Sequence, residues 1–323
     1  MPSVDRPTDP KLPRDHPLAG CQAKLWRAHE NFELLQDQIR TWGKEVEGAT
    51  FRTEPKPHTK STFWTRVDTV IEPPLYISTT IGDVVHNLRS TLDHLVFELA
   101  FLGLRGQRIP ERTAFPCSET KANWRSAYVQ DRLLEGVLKK HRAMLYRAQP
   151  CYGRKDTTNP NTLRRQRRRP AADLNNLWKE DKHRVIQAVA VSPYEIKPKV
   201  SGFRHCRPKG QPSICLGFLG RPLKVDAKVL EVPVEITGPE PKVNVQIEIA
   251  CEIGFRNGLP VRKALADIGD WVSSIIGYFT PEFETSRARR LWGLPRGSWV
   301  DAEPLRRGRT YVGEWQLTNL PAA

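Results

Sequence analysis

The sequence predicts an α+β protein, a helical bundle with an added small antiparallel β-sheet region. In the first half, Leu25, Ala28, Phe32, Leu35, Ile39 and Trp42 recur at steps of three and four, the period of an amphipathic helix. In the second half, SICLGFLG, AKVLEVPVEI and KVNVQIEIACEI are short strand candidates separated by Gly and Pro. The helical period then returns in LPVRKALADIGDWVSSIIGYF, where Val261, Leu265, Ile268, Val272, Ile275 and Ile276 share one face.

Taken in order, residues 1–19 hold five prolines and mixed charge and are expected to form a disordered arm. A helix runs from Cys21 and ends between Gly43 and Gly48. The stretch STFWTRVDTVIEPP alternates Phe63, Thr65, Val67, Thr69 and Ile71 on one face, so it reads as a strand stopped by Pro73 and Pro74. A motif helix follows over 80–104, with Ser78, Thr79 and Thr80 as caps and Asp83 as a capping-box acid. KANWRSAYVQDRLLEGVLKKH supplies one or two shorter helices.

Residues 153–170 differ in kind: between Arg154 and Pro170 there are seven basic residues against one acid, with no apolar period, as in a solvent-exposed loop. The helix DLNNLWKEDKHR then leads into the strand-like VIQAVAV. These elements divide the chain into a mainly helical domain over 20–185, a β-rich region over 186–283 closing with a helix over 260–279, and a basic irregular tail over 284–323.

A chain of 323 residues buries a core large enough to be stable without staples. Its six cysteines are scattered with no CxxC pair, which suits reduced thiols in the cytoplasm and speaks against a zinc ribbon. LAGC, ending at Cys21, has the letters of a lipoprotein cleavage box but lacks a preceding apolar region. No apolar run approaches the roughly 18 residues of a membrane span, so a soluble, cytoplasmic protein is expected. The net charge of +15 and pI near 9.7 favour a polyanionic partner, RNA or DNA. The arginines of the segment RRQRRR, Arg164, Arg165, Arg167, Arg168 and Arg169, are the first candidates to contact phosphate. The basic tail interleaves its arginines with Trp292, Trp299 and Trp315, a pattern suited to stacking bases.

The stretch GDVVHNLRSTLDHLVFEL carries the densest chemistry. Advancing about 100° per residue, Val84, Val85, Leu88, Leu92, Leu95, Val96 and Leu99 fall on one face. His86, Asn87, Ser90, Asp93 and His94 fall opposite, with Arg89 at the edge. Solvated faces draw mainly on Lys, Glu, Gln and Arg, whereas this strip has histidines and aspartates, residues for proton transfer or a fixed hydrogen-bond network.

Arg89 and His94 make the string R-x-x-x-x-H, and with it the helix resembles the HEPN superfamily, whose ribonuclease members carry that motif on a helix of a bundle. The resemblance implies a metal-independent endoribonuclease, a toxin or defence protein, acting as a homodimer. His94 would move protons at a ribose 2′-OH or a leaving 5′ oxygen, Arg89 would hold the scissile phosphate, and His86 and Asp93 would orient the pair or share the proton work. This chain departs from the pattern in having Ser90 after the arginine and in continuing LVFEL past His94.

A broader resemblance, carried by GDVVHNLRSTLDHL, by Phe115 and Pro116, by QPCY and by DKHR, is to a family of bacterial proteins frequent in actinobacteria, which brings no established activity. In DKHR, Asp181 and His183 either return to the same site or lie where basic residues complement a helix C-terminus. His86 and His94 are two turns apart, about 12 Å along the axis, too far to share one ion easily. Neither HExxH, a paired ExxH nor a Walker motif is present, so neither a metal nor a cofactor is expected. The alternative to a ribonuclease is a non-enzymatic nucleic-acid-binding or scaffold protein whose polar helix face is an interface network.

Overall fold

The computed structural model describes residues 12, 16–45, 49–57, 59, 61–108, 110–152, 169–183, 186, 188–191, 197–215, 221–248 and 252–284. The fold is α+β, in the order α1 (Ala19–Glu45), β1 (Ala49–Pro55), β2 (Thr62–Val70), α2 (Leu75–Gly103), α3 (Lys121–Arg125), a π-helical turn (Tyr128–Leu133) and α4 (Lys139–Arg147). Next come α5 (Arg169–His183), β3 (Ala188–Val191), β4 (Lys197–Arg204), β5 (Cys206–Pro208), β6 (Ser213–Ile214), β7 (Lys228–Ile236), β8 (Lys242–Glu248), β9 (Glu252–Phe255) and α6 (Val261–Phe283). Two compact units result, one of residues 1–33, 80–185 and 264–323, the other of residues 34–79 and 186–263.

The second unit is more than a small β region. Its main sheet is antiparallel and five-stranded, ordered β1-β2-β7-β5 with β6 also on β7, and it is accompanied by the two-stranded ladders β3–β9 and β4–β8. Strands β1 and β2 precede the motif helix in sequence yet belong to this sheet, because β7 takes β2 along one side in the register Trp64↔Glu231. Alternation puts Phe63, Leu230, Val232 and Val234 on one face, where they form a core with Cys206 and Val243. Strand β1 has no strong apolar alternation of its own. It is held by its ladder to β2 and by the bond between the Thr50 and Thr69 hydroxyls at 2.6 Å.

In the first unit, α2 buries the face its periodicity defines: Ile81, Val84, Val85, Leu88, Leu92, Leu95, Val96 and Leu99 have no exposed surface. The helix starts earlier than its hydroxyl residues suggest. Pro73 and Pro74 set the entry, since proline suits a helix start, and the Ile77 amide already donates to the Pro74 carbonyl at 3.0 Å. Ser78, Thr79 and Thr80 therefore lie within the first turns rather than at a cap, and the Thr79 hydroxyl bonds back to the Tyr76 carbonyl at 2.9 Å. At the other end, a Cβ on Gly103 would stand 1.9 Å from the Gly136 carbonyl oxygen, so α2 and the 136 turn touch backbone to backbone.

Most of the arm expected over 1–19, all of the tail beyond Glu284, and the basic loop up to residue 168 lie outside the described residues. The arm's last residues are packed: Leu18 is fully buried and its amide donates to His16 Nδ1 at 3.0 Å, just ahead of α1. Arg169 and Pro170, at the loop's end, open α5. The closing helix spans 261–283 rather than 260–279, and Phe279 and Phe283 are buried in its last turns.

Candidate functional site

Arg89 is 6 % exposed, and its Nε and Nη2 are engaged inside the fold. Nη2 donates to the Phe115 carbonyl at 2.5 Å and lies 3.1 Å from Asp93 Oδ1, while Nε donates to Asp93 Oδ2 at 3.3 Å. Asp93 Oδ1 in turn accepts the Phe115 amide at 2.8 Å. One turn of helix spaces the two side chains so that together they hold both polar groups of a single residue in the FP turn. The ring of Phe115, 1 % exposed, sits edge-on to Trp271, so the clamp fixes a core aromatic. Trp178 of α5 completes the group, with the Arg89 guanidinium 5.0 Å and the Lys182 ammonium 4.4 Å from its ring centroid.

His94 points elsewhere. Its Nε2 is 3.2 Å from Glu98 Oε1 and its ring makes an edge contact with Phe97. A Cβ on Gly20 would stand 2.1 Å from His94 Cε1, so α1 approaches α2 on the imidazole itself. Nδ1 is buried without a hydrogen-bond partner among the described residues.

His86 is exposed and belongs to a third group with Asp83 and Asp181. A Cβ on Gly82 would lie 2.3 Å from Asp181 Oδ1, which places the end of α5 on the start of α2. Burial raises the Asp181 carboxyl above the ordinary range, with His86 acting to lower it and Asp83 to raise it. Five of the six residues singled out on α2 and α5 thus fall into three separate groups: Arg89 with Asp93, His86 with Asp181, and His94 beside Glu98. His183 closes α5, but its side chain lies outside the described residues. Arg164, Arg165, Arg167 and Arg168 lie outside them too, as does the side chain of Arg169. Among the described residues, no group of three His, Cys, Asp or Glu is placed to hold a metal ion, and no helix is long and apolar enough to cross a membrane.

Sequence reasoning passed over Phe115, Trp178 and Glu98 as parts of these groups, and a basic stretch beyond them. Between Lys121 and Pro170 the chain carries fourteen Lys and Arg against three Asp and Glu. In the described part of this stretch, Arg125, Arg132, Lys139, Lys140 and Arg147 are exposed, and Lys140 is paired with Glu282. The π-helical turn within it is held by Arg142, which donates to the carbonyls of Leu134 and Val137 at 2.9 and 2.8 Å and to Gln130 Oε1 at 3.3 Å. The signal for this stretch was the charge count, which separate reading of the two segments had divided.

The other cationic cluster, around Trp64 in the second unit, is matched by acids. Lys56, Arg66 and Lys228 surround the indole, but Glu231 accepts from Lys228 and from the indole NH, and those bonds, Lys228 first, hold its carboxyl below the usual range. Glu54 lies 2.8 Å from Arg66.

Comparison of the chain with protein-family models, curated proteins and solved structures finds no match.

Proposed function

We propose that this is a non-enzymatic nucleic-acid-binding protein that holds RNA through the basic residues of the stretch 121–170, with the polar face of α2 serving as a structural network. The observation that carries the reading is the concentration of fourteen basic residues against three acids in that stretch, with five of its cations exposed on the described surface. Cations displayed together exchange condensed counterions for protein contacts, which gives affinity that falls steeply with salt. The state of Arg89 supports the structural half of the reading. Its Nε and Nη2 are bonded to Asp93 and to Phe115 and its plane lies over Trp178, so these contacts hold the guanidinium within the fold.

The HEPN-like endoribonuclease is the other reading, and His94 paired with Glu98 is the observation in its favour, since a carboxylate can orient an imidazole for proton transfer. It requires Arg89 to exchange its internal partners for a scissile phosphate, in a second copy of the chain or in this one.

One experiment separates the two. Purified protein is titrated into labelled RNA over a range of salt, and the RNA ends are mapped after incubation. The expected result is intact RNA and log-log salt dependence with a slope of about −0.7 per phosphate contacted on single strands. Replacing Arg164, Arg165, Arg167, Arg168 and Arg169 by glutamine should flatten that slope. Lack of affinity at low salt overturns the proposal, and cleavage abolished by both Arg89→Ala and His94→Ala in folded protein replaces it with the ribonuclease.

A further inference from the structure

We propose that Tyr128, at the head of the π-helical turn, is a stacking platform for an unpaired base, so that the nucleic acid held by the basic stretch is a single strand and not a duplex. This rests on the nucleic-acid reading above and specifies its ligand.

Tyr128 is 57 % exposed, against 47 % for the helical Tyr76 and Tyr278. Arg132 stands over it with its guanidinium carbon 5.5 Å from the ring centroid. A tyrosine ring with an arginine beside it offers a π surface for a base and a cation for the adjoining phosphate. Arg125, three residues earlier at the end of α3, and Lys139, at the start of α4, add exposed cations along the same short segment.

The mount is rigid. Leu134 donates to the Val129 carbonyl at 3.0 Å in the wide bonding pattern of a π turn, a form that recurs at functional sites. Val129 and Trp124 are buried beneath the turn, and Gln130 ties it to the Trp124 carbonyl at 2.6 Å. The three bonds from Arg142 then close the turn from the α4 side. The ring is therefore presented without a loop having to order on binding, which removes much of the entropic cost of capturing a flexible strand.

Only a single strand can use such a platform. Bases in a duplex stack on one another and are paired, so an aromatic ring projecting from a helix reaches the phosphates but no base face. Cations alone would treat strand and duplex according to charge density. A stacked tyrosine adds a preference for the strand.

The test compares affinities of the full chain for a short unstructured RNA and for an RNA duplex of matched phosphate number, at one salt concentration. Tyr128→Ala should weaken binding of the single strand about 5- to 150-fold, the range for loss of one stacked base, and leave the duplex within twofold. Tyr128→Phe should retain single-strand affinity, and Arg132→Gln should lower it. Because the ring is exposed, the alanine variant does not disturb the core. Binding of both ligands with an unchanged ratio in Tyr128→Ala overturns the platform while leaving the basic stretch in place. Binding of neither ligand by the unaltered chain overturns the nucleic-acid reading and the platform together.

Discussion

Replacing Arg89 by alanine tests whether the polar strip of α2 is a network. The side chain makes a charged hydrogen bond to the buried Phe115 carbonyl, an ion pair with Asp93 and a stack on Trp178. Hydrogen bonds to charged groups contribute about 1.5–3 kcal/mol. The side chain of Asp93 is 31 % exposed, so water screens the ion pair and its share is held to about 1 kcal/mol. The cation–π contact adds about 0.5–1 kcal/mol.

Since these share one side chain and are not additive, the expected loss for Arg89→Ala is about 2–4 kcal/mol, a lowering of the melting temperature by roughly 3–6 °C for a chain of 323 residues. Urea unfolding followed by tryptophan fluorescence measures it. A double-mutant cycle of Arg89→Ala with Asp93→Ala should give a coupling of about 1–2 kcal/mol, because either substitution alone breaks the clamp on Phe115. A midpoint within about 0.5 kcal/mol of the unaltered protein, or a coupling near zero, would refute the network and leave Arg89 free for a phosphate.

Four further outcomes are expected. Gly103→Ala sets a methyl 1.9 Å from the Gly136 carbonyl oxygen and should cost at least about 2 kcal/mol despite alanine's better helix propensity; calorimetry showing equal or greater stability would contradict the backbone contact. Gly20→Ala should displace the His94 ring, visible as a shift of its imidazole resonances, whereas unmoved resonances would deny the α1–α2 approach. Burial pushes the Cys117 thiol up to about 11, so its alkylation at pH 8 should be roughly 100-fold slower than that of a free thiol, with the rate climbing until about pH 11; the neutral thiol is the form the fold favours, so stability falls as pH rises from about 9 towards 11. The carboxyl of Asp181 is raised mainly by burial, so its ionised form is the disfavoured one and its contribution to stability is lost as pH rises through the folded value. Asp181→Asn should therefore stabilise the protein at pH 7, with the gain fading below the ordinary carboxylate range; a loss of stability at pH 7 would contradict this.

Much of the fold is legible from periodicity. The apolar face of α2 and that of α6 follow from residue spacing alone, and so does the alternation of β2 and β7. Less legible is what depends on a partner. The extent of the β region was underestimated because β1 has little alternation and exists by pairing with β2, and because Trp64 meets Glu231 across 167 residues of chain. The start of α2 was misplaced because the hydroxyls of Ser78–Thr80 resemble caps, while Pro73 and Pro74 favour an earlier entry.

Sequence alone determined that the strip of His86, Arg89, Asp93 and His94 lies off the core face of α2, since side-chain direction along a helix is a local property of the backbone. Tertiary structure decided what each residue does there. Asp93 and Arg89 engage the backbone of Phe115, His86 neighbours Asp181 on α5, and His94 is overlaid by Gly20 on α1. Those partners lie tens of residues away, brought in by burial of apolar faces that carry no information about which polar groups will meet. The same distinction holds for the basic stretch of 121–170: its charge is written in the sequence, while the exposure of Tyr128 on a locked turn follows from Val129 and Trp124 being drawn into the core and Arg142 closing over the turn.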